Sequence, residues 1–546
     1  MMFFLVGGFS TMAHNPILPA LKVSDKPVWK PDKTSPFEAG TQIRAWTIQD
    51  EGIDYILDNM QSMAAINNLY MVVVMHKEHR PFQAPEFPHN PVRDSWEAED
   101  SRVTFFPEMS RYGKIKPMLS DHEWIRETDW LMLMVEAARA RGLRTGAEVS
   151  HFPIPQELIK ANPDWQMKTI DGTSWMANRF CPNHPDVREY IIALFGDLAA
   201  NYDLDYIQTC QLLFESNDID EMGTCFCRHC VAEAKKSGFD LEAAIPILKK
   251  DKNAEPQRSQ WLQFRWDTST KLYKEIAEKI KQENSNCHLR LNDVLLWGGD
   301  DAIDCGLDIK AVAPYLGSIV NQDHTEQNGK KDEDFTLRKK WLTVNRDFLG
   351  PDKPLICGIA PRMKASPELV REGIKVALEH PAKVDGLALK HYDGASFSLL
   401  RAFKQGMVEA GVQGLSPTLG KEVEEMELEN YVKFSEELVE EWGVETKDSG
   451  KASYTFDNPT GKYDVRITFF DEEEGSSKVT LLINGKKRAK FKMDEDVDCW
   501  RWRRFKSIKV NKGDIITLVG KADKKEQARL DFVEFIPSTR STDINN

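Results

Sequence analysis

A (β/α)8 barrel followed by an all-β sandwich is the architecture that the sequence predicts, and three observations carry it. Between about residues 41 and 415, short apolar runs alternate with amphipathic helical stretches, eight times over. After about residue 450 the hydrophobic period becomes two. At 546 residues the chain is too long for one ordinary core, so two or more domains are expected.

The eight runs are Gln42–Ile48, Leu69–Met75, Leu143–Val149, Tyr206–Phe214, Leu289–Leu296, Ser318–Asn321, Leu355–Ile359 and Gly386–Leu389. Helical spacing is clear over Trp124–Arg141, which stops at the C-cap residue Gly142, and over Asp186–Asn201, Ser259–Glu283, Ser366–Glu379 and Phe397–Ala410. An open doubly wound sheet is the competing arrangement. Its commonest version is removed because no GxGxxG opens the first unit. The segments after runs two, three and four are long, and on a barrel such segments build the active face. Residues 1–40 read as a leading arm. Pro417, Gly420 and an acidic stretch from Lys421 to about Trp442 read as a helical linker over residues 416–450. The alternating segments Lys462–Phe470, Lys478–Ile483, Asp514–Val519 and Arg529–Ile536, with an Asn484-Gly485 turn, then place a sandwich over 451–540.

Hydrophobic content of 41% and charged content of 29% belong to a soluble globular chain. A net charge of −14 argues against nucleic acid as a partner, because phosphate binding needs clustered Lys and Arg. The basic run Trp500–Lys506 alternates with aromatics and reads as a strand face. No stretch reaches about 18 consecutive apolar residues, so no membrane-spanning helix is expected. The start, Met1–Ala13, is apolar but lacks the positive n-region of a signal peptide. It leaves the compartment open, with export only slightly favoured. Oligomeric state is not legible.

Polar residues just past the strand ends of a barrel converge on one pocket. Here those positions hold Trp46, His76, Glu148 with His151, Glu215, Asn292 with Asp293 and Trp297, Asp323 with His324, Arg362, and Lys390-His391-Tyr392-Asp393. Sugar hydrolysis wants this set: paired carboxylates, aromatic faces for pyranose rings, and His, Asn, Arg and Lys for hydroxyls. Each acid has a bland alternative as a helix cap or loop anchor, and each aromatic as a core plug. Glu215 is the leading acid because an apolar strand ends on it.

Nine cysteines, three of them packed into Cys225-Phe-Cys227-Arg-His-Cys230, do not look like a disulfide framework. CxCxxC supplies three thiolates from one tight loop, and Cys181 is the candidate fourth donor for a structural zinc. His229 is the weaker candidate. Reduced free thiols are the alternative. Four protein ligands would leave the metal no open position and hence no catalytic part.

The segment Arg179-Phe-Cys-Pro-Asn-His-Pro-Asp-Val-Arg188, a strand ending at Glu215, and Cys225–Cys230 resemble the family 42 glycoside hydrolases, the barrel β-galactosidases. The resemblance implies Glu215 as acid/base and zinc ligands at Cys181, Cys225, Cys227 and Cys230. Two departures separate this chain from that family. Phe214 stands where the family has Asn, and Leu355–Arg362 holds no acid where the family has its nucleophile Glu. A second carboxylate after strand six, Asp323, would resemble the α-galactosidase-type arrangement, with Asp393 as the competitor. The tail segments Lys462–Asp471 and Ala528–Pro537 are similar to carbohydrate-binding modules of families 6 and 35 or galactose-binding-like domains. In them Trp500, Trp502 and Tyr463 are either sugar platforms or core. The expectation is a glycosidase acting on a poly- or oligosaccharide through Glu215 and Asp323 or Asp393. A sugar lyase or isomerase using Lys390 or His391 as base, and a non-catalytic glycan-binding protein, are the alternatives.

Overall fold

The computed structural model describes residues 37–74, 78–80, 87–92, 96–98, 101–150, 153–174, 179–210, 214, 218–219, 223–294, 302–329, 335–436 and 441–538. Eight parallel strands close into a barrel: β1 (Glu38–Ile43), β2 (Asn68–Val74), β3 (Arg144–Val149), β4 (Tyr206–Cys210), β5 (His288–Val294), β6 (Ser318–Gln322), β7 (Leu355–Ile359) and β8 (Gly386–Leu389). Each pairs with its sequence neighbours, and β1 seals the ring against β8 through Glu38↔Gly386 to Thr41↔Leu389. The returning helices are α1 (Ile53–Met63), α2 (Trp130–Ala140), α3 (Pro185–Asn201), α4 (Gln257–Glu283), α5 (Ile309–Val312), α6 (Thr336–Leu349), α7 (Pro367–Glu379) and α8 (Phe397–Glu409). Among the described residues, no helix is long and apolar enough to cross a membrane.

Most boundaries follow from local chemistry. Asp129, Ser366 and Ser396 cap α2, α7 and α8 by accepting from the backbone N–H three residues on. The first cap splits the expected Trp124–Arg141 helix into a short turn, Glu123–Arg126, and α2. The first strand differs more. It spans Glu38–Ile43, and the apolar run read as Gln42–Ile48 turns helical at Ala45–Glu51. Arg44 and Thr47 form reciprocal capping contacts there, and these outweigh the β-propensity of Trp46-Thr47-Ile48.

Alternate residues of a barrel strand face inward and fill the lumen in layers. At the base, Arg290 donates to both oxygens of Glu38 at 2.8 Å, and its Nε donates to Ser318 at 2.9 Å. Its guanidinium lies 3.6 Å over the Tyr206 ring. Asn68 donates to Glu38 and to the Tyr206 hydroxyl. Gly146 is required beside this layer, since a Cβ there would come within 2.4 Å of the Tyr206 ring. Above it Val320, Ile356 and Ala388 make a small apolar plug. The outward residues of the strands join the helices in one large core.

The second domain begins earlier than expected. Residues Lys421–Trp442 do not form a linker helix: Gly420–Glu422, Glu427–Glu429 and Val432–Glu436 are strands of the sandwich. Helix-favouring Glu and Lys lose to strand pairing, because Lys421 pairs with Val533 and Leu428 with Ala452. One sheet orders β11 (Val432–Glu436), β12 (Glu441–Thr446), β19 (Ala528–Pro537), β14 (Gly461–Asp471) and β17 (Cys499–Val510), with β9 (Gly420–Glu422) also on β19. The other orders β10 (Glu427–Glu429), β13 (Ser449–Thr455), β18 (Ile515–Lys521), β15 (Lys478–Ile483) and β16 (Lys486–Lys492). Residues such as Val465, Phe469, Leu481 and Leu518 fill the space between the sheets.

The two domains share a buried seam. Trp500 and Trp502 of β17 are buried and belong to the barrel's core cluster. Trp502 stacks on Tyr55 of α1, with centroids 5.2 Å apart and planes at 9°. Its indole N–H donates to Asn59 at 2.7 Å, and Asn59 donates to the Tyr392 hydroxyl at 2.9 Å. Tyr463 is packed against Phe456 and Phe535. All three aromatics are therefore core and seam residues, not open sugar platforms.

Candidate active site

The C-terminal ends of the barrel strands carry a polar mouth. Glu148, at the end of β3, is buried inside the lumen. One of its oxygens accepts from Gln42 at 3.4 Å and the other from Gln208. Tyr70 lies beside it, and burial followed by the Glu148 charge pushes the phenol well above its ordinary pKa, so it stays protonated. Lys390, the residue after β8, sits with its Nζ 5.6 Å from the Tyr70 ring centroid. Asn292 of β5 is buried in register with Cys210 and Val320, and its Oδ1 has no hydrogen-bond partner among the described residues. The same holds for Gln322 Oε1, at the end of β6. Buried acceptors without partners are uncommon in proteins, and at a strand end they suit a ligand's hydroxyls.

Asp393 lies in the turn after β8 and is buried; Arg44, the residue after β1, donates to its Oδ2 at 2.7 Å. His324, Arg362 and His391 follow β6, β7 and β8. Arg362 donates to Gln327 at 2.8 Å. Burial, then the positive charges of Arg362, Arg44 and Lys390, hold the His391 imidazole well below its ordinary pKa, so it is neutral at pH 7. His324 is shifted the same way by burial and Arg362. The Nδ1 atoms of both histidines have no partner among the described residues.

Three expected site residues are turned to other work. Asp323 was the first choice for a second carboxylate, but both its oxygens accept from Arg338 of α6, at 2.7 and 2.8 Å, inside the protein. Glu326 takes the remaining donors of the same guanidinium. Burial works to raise the Asp323 pKa, and Arg338 outweighs it and holds the group ionised. Asp293 faces the helix layer and accepts from Asn345 at 2.6 Å. Trp46 sits in the Ala45–Glu51 helix, buried edge-on against Phe87, and offers no platform. His76, His151, Glu215 and Trp297 lie outside the described residues. The in-strand glutamines Gln42, Gln208 and Gln322 are not among the residues that follow the strand ends. Their signal was a polar residue at an inward position of an otherwise apolar strand.

The cysteines meet as expected. The sulfurs of Cys181, Cys225, Cys227 and Cys230 all lie within 4.8 Å of one another, with Cys181–Cys227 at 3.4 Å and Cys181–Cys230 at 3.5 Å, and none is in a disulfide. A tetrahedron with metal–sulfur bonds of about 2.3 Å has sulfurs about 3.8 Å apart, so the donor set fits a closed metal site. The backbone N–H of Lys168 points at Cys225 Sγ and the Asn183 amide at Cys230 Sγ, the kind of donors that support thiolates. His229 is not part of this set. With His184 and Arg228 it contacts Asp164, whose carboxyl they hold at about 2 against the raising effect of burial.

No family model matches the chain. Probable α-glucuronidase A of Aspergillus terreus is 36% identical over 135 residues, covering 21% of this chain and 16% of that one. The chain spans only 12% and 16% of the length of the first two curated α-glucuronidases it matches. Among solved structures, the PgaB glycoside hydrolase domain of Bordetella bronchiseptica superposes with a TM-score of 0.47 at 12% identity, over 70% of this chain and 100% of that one. The β-galactosidase of Rahnella sp. R3 gives 0.46 at 13% identity, over 71% of this chain and 58% of that one. The barrel itself rests on its strand pairing and not on these likenesses.

Proposed function

We propose that the chain is a glycosidase, with Glu215 as general acid/base and Asp393 as the second carboxylate. The observation that supports this reading is the closed barrel whose mouth gathers Glu148, Asp393, orphaned amide acceptors and basic side chains at one end. β4 lies across the ring from β8, so a glycosidic bond held between acids that follow these two strands would be flanked by two carboxyl groups. Glu215 would protonate the leaving oxygen. Asp393, held by Arg44 at 2.7 Å, would attack the anomeric carbon or deprotonate a water. Carboxyl groups about 5 Å apart would give retention and about 6.5–9.5 Å inversion. The partial likeness to α-glucuronidases puts uronosides among the substrates to be tried. A panel of aryl glycosides and plant and bacterial oligosaccharides tests the reading: turnover by the intact chain that is lost in Glu215→Gln and in Asp393→Asn supports it. Full activity in either variant refutes that residue's role.

In the thiol tetrad we place one structural zinc, held by Cys181, Cys225, Cys227 and Cys230. It would tie the segment before α3 to the segment after β4 and supply no reacting group. Metal analysis of the purified chain should give one zinc per chain, lost in Cys227→Ser. A metal-free, equally stable protein would refute it.

One observation favours a second reading. His391 is a neutral, buried imidazole whose Nδ1 has no partner among the described residues, and an unprotonated nitrogen at the mouth can serve as base on a carbon-bound proton. A lyase of that kind releases an unsaturated sugar absorbing in the ultraviolet, whereas hydrolysis does not.

A further inference from the structure

A column of stacked side chains runs from the thiol loop to the residue before Glu215. Phe226 stands between Cys225 and Cys227 and lies flat on Trp261 of α4, with centroids 5.3 Å apart and planes at 10°. Arg265, four residues along the same helix, holds its guanidinium 4.5 Å over the Trp261 ring and 5.0 Å over the Phe214 ring. Positions i and i+4 share a helix face, which is why Trp261 and Arg265 line up. All four side chains are buried. Phe214 has a second wall: a Cβ on Gly306 would come within 2.8 Å of its ring. Trp266 of α4 donates to the Ile303 carbonyl at 2.9 Å and ties that turn to the same helix.

Phe214 also packs into a different core from the strand that precedes it. Ile207 of β4 belongs to the barrel's main cluster, whereas Phe214 is grouped with the four tetrad cysteines, Phe226 and Trp261. Asn183 makes a further tie between tetrad and helix, donating to Thr268 of α4 at 3.3 Å while its amide faces Cys230.

We infer that Arg265 is a positioning residue: held between Trp261 and Phe214, it carries the place of the thiol loop to the acid that follows Phe214, Glu215. The inference rests on the reading of Glu215 as general acid/base. Consecutive Cα atoms are about 3.8 Å apart, so a clamped Phe214 fixes where the next residue begins. A catalytic group misplaced by about 1 Å can lose about 10²-fold in rate. A planar cation suits the middle of such a column, because it attracts an aromatic face on each side, and lysine would keep the charge but lose the plane. The thiol loop thereby takes part in the chemistry as a distant anchor and lends no reacting group.

The test uses the intact chain and compares Phe226→Leu and Arg265→Lys, which keep all four cysteines, with their double variant. Each single variant should lower kcat at least about tenfold per folded molecule and leave KM within about threefold. The double variant should be no more than about threefold slower than the slower single, because both break one column. Wild-type kcat in either folded single variant would overturn the inference, even if its melting temperature fell, and so would losses that multiply in the double. Glu215→Gln is run beside them. If it is inactive while the column variants turn over normally, the inference fails and the glycosidase reading stands. A fully active Glu215→Gln would remove the acid and the inference together. The linkage is also read without substrate or variants, by native-state hydrogen exchange of the unaltered chain. Peptides covering 211–217 and 224–230 should open together, with one denaturant dependence. Separate opening would overturn the inference, whether or not the variants fold. Joint opening with no turnover of any glycoside would defeat the reading of Glu215 and leave the linkage standing.

Discussion

The Glu38–Arg290 pair at the base of the barrel and four polar side chains at its mouth are treated in opposite ways. At the base, Glu38 is met by Arg290 on both oxygens and by Asn68, with Tyr206 and Ser318 completing the contacts. At the mouth, Asn292, Gln322, His324 and His391 each keep an atom with no partner among the described residues. A charge buried in full pairing contributes to holding a fold together, whereas a polar atom buried alone costs stability and persists where a ligand answers it. The difference separates residues whose loss should unfold the protein from residues whose loss should only silence it.

The largest effect is expected where that distinction is sharpest. Arg290→Met strands the Glu38 carboxylate in the lumen and should cost about 3–5 kcal/mol, read as an earlier first transition in urea. Asp393→Asn, which weakens a pair whose Arg44 side is partly exposed, should move that transition less than Arg290→Met does and lower kcat by on the order of 10²–10⁴. Asp323→Asn should do the opposite, lowering stability by about 1–3 kcal/mol, because one of the carboxyls facing Arg338 loses its charge. If Asp323→Asn instead abolished turnover at full stability, the assignment of the second carboxylate would return to β6. Asn292→Ala removes an acceptor that no group among the described residues uses. It should lower kcat/KM about tenfold, with no loss of stability.

The smallest expected effect is in pH. Burial first, then neighbouring acids, raise Glu424 to about 7 and Glu526 to about 7 in the sandwich, and Asp471 to about 6. Acids with raised values favour the folded state fully below their unfolded values near 4, and this is lost as pH rises to about 7. Glu38 has the reverse sign. Burial works to raise it, Arg290 and Arg144 outweigh burial, and its contribution is present above about 4.5 and lost as pH falls. Melting at pH 5 and pH 8 should therefore weaken the sandwich transition at the higher pH, and Glu526→Gln should flatten that dependence.

Much of this was readable in the residues. Eight strand-and-helix units follow from apolar runs and capping serines and aspartates, and the thiol tetrad follows from CxCxxC with Cys181. The misreadings share a cause. Trp46-Thr47-Ile48 looks like strand in isolation, but Arg44 and Thr47 close a helical turn around it. Lys421–Trp442 looks like helix, but its partners for pairing, Val533 and Ala452, lie far along the chain. Asp293 and Asp323 sit where a barrel places catalysts. Only packing reveals Asn345 and Arg338 waiting for them on α6. Gln42 and Gln208 escaped notice because polar residues within strands carry no motif.

The tryptophans of β17 have a practical consequence. Their rings fill space between Tyr55, Phe434 and the barrel helices, and the Trp500 backbone donates to Pro88 in the long segment that follows β2. A fragment ending after α8 would leave an oily hollow open to water along one flank of the barrel, and the turn bearing Asp393 would lose a brace that reaches it through Asn59 and Tyr392. Dissecting this protein into a soluble enzyme half and a detachable tail should therefore fail, with the shortened barrel prone to clumping.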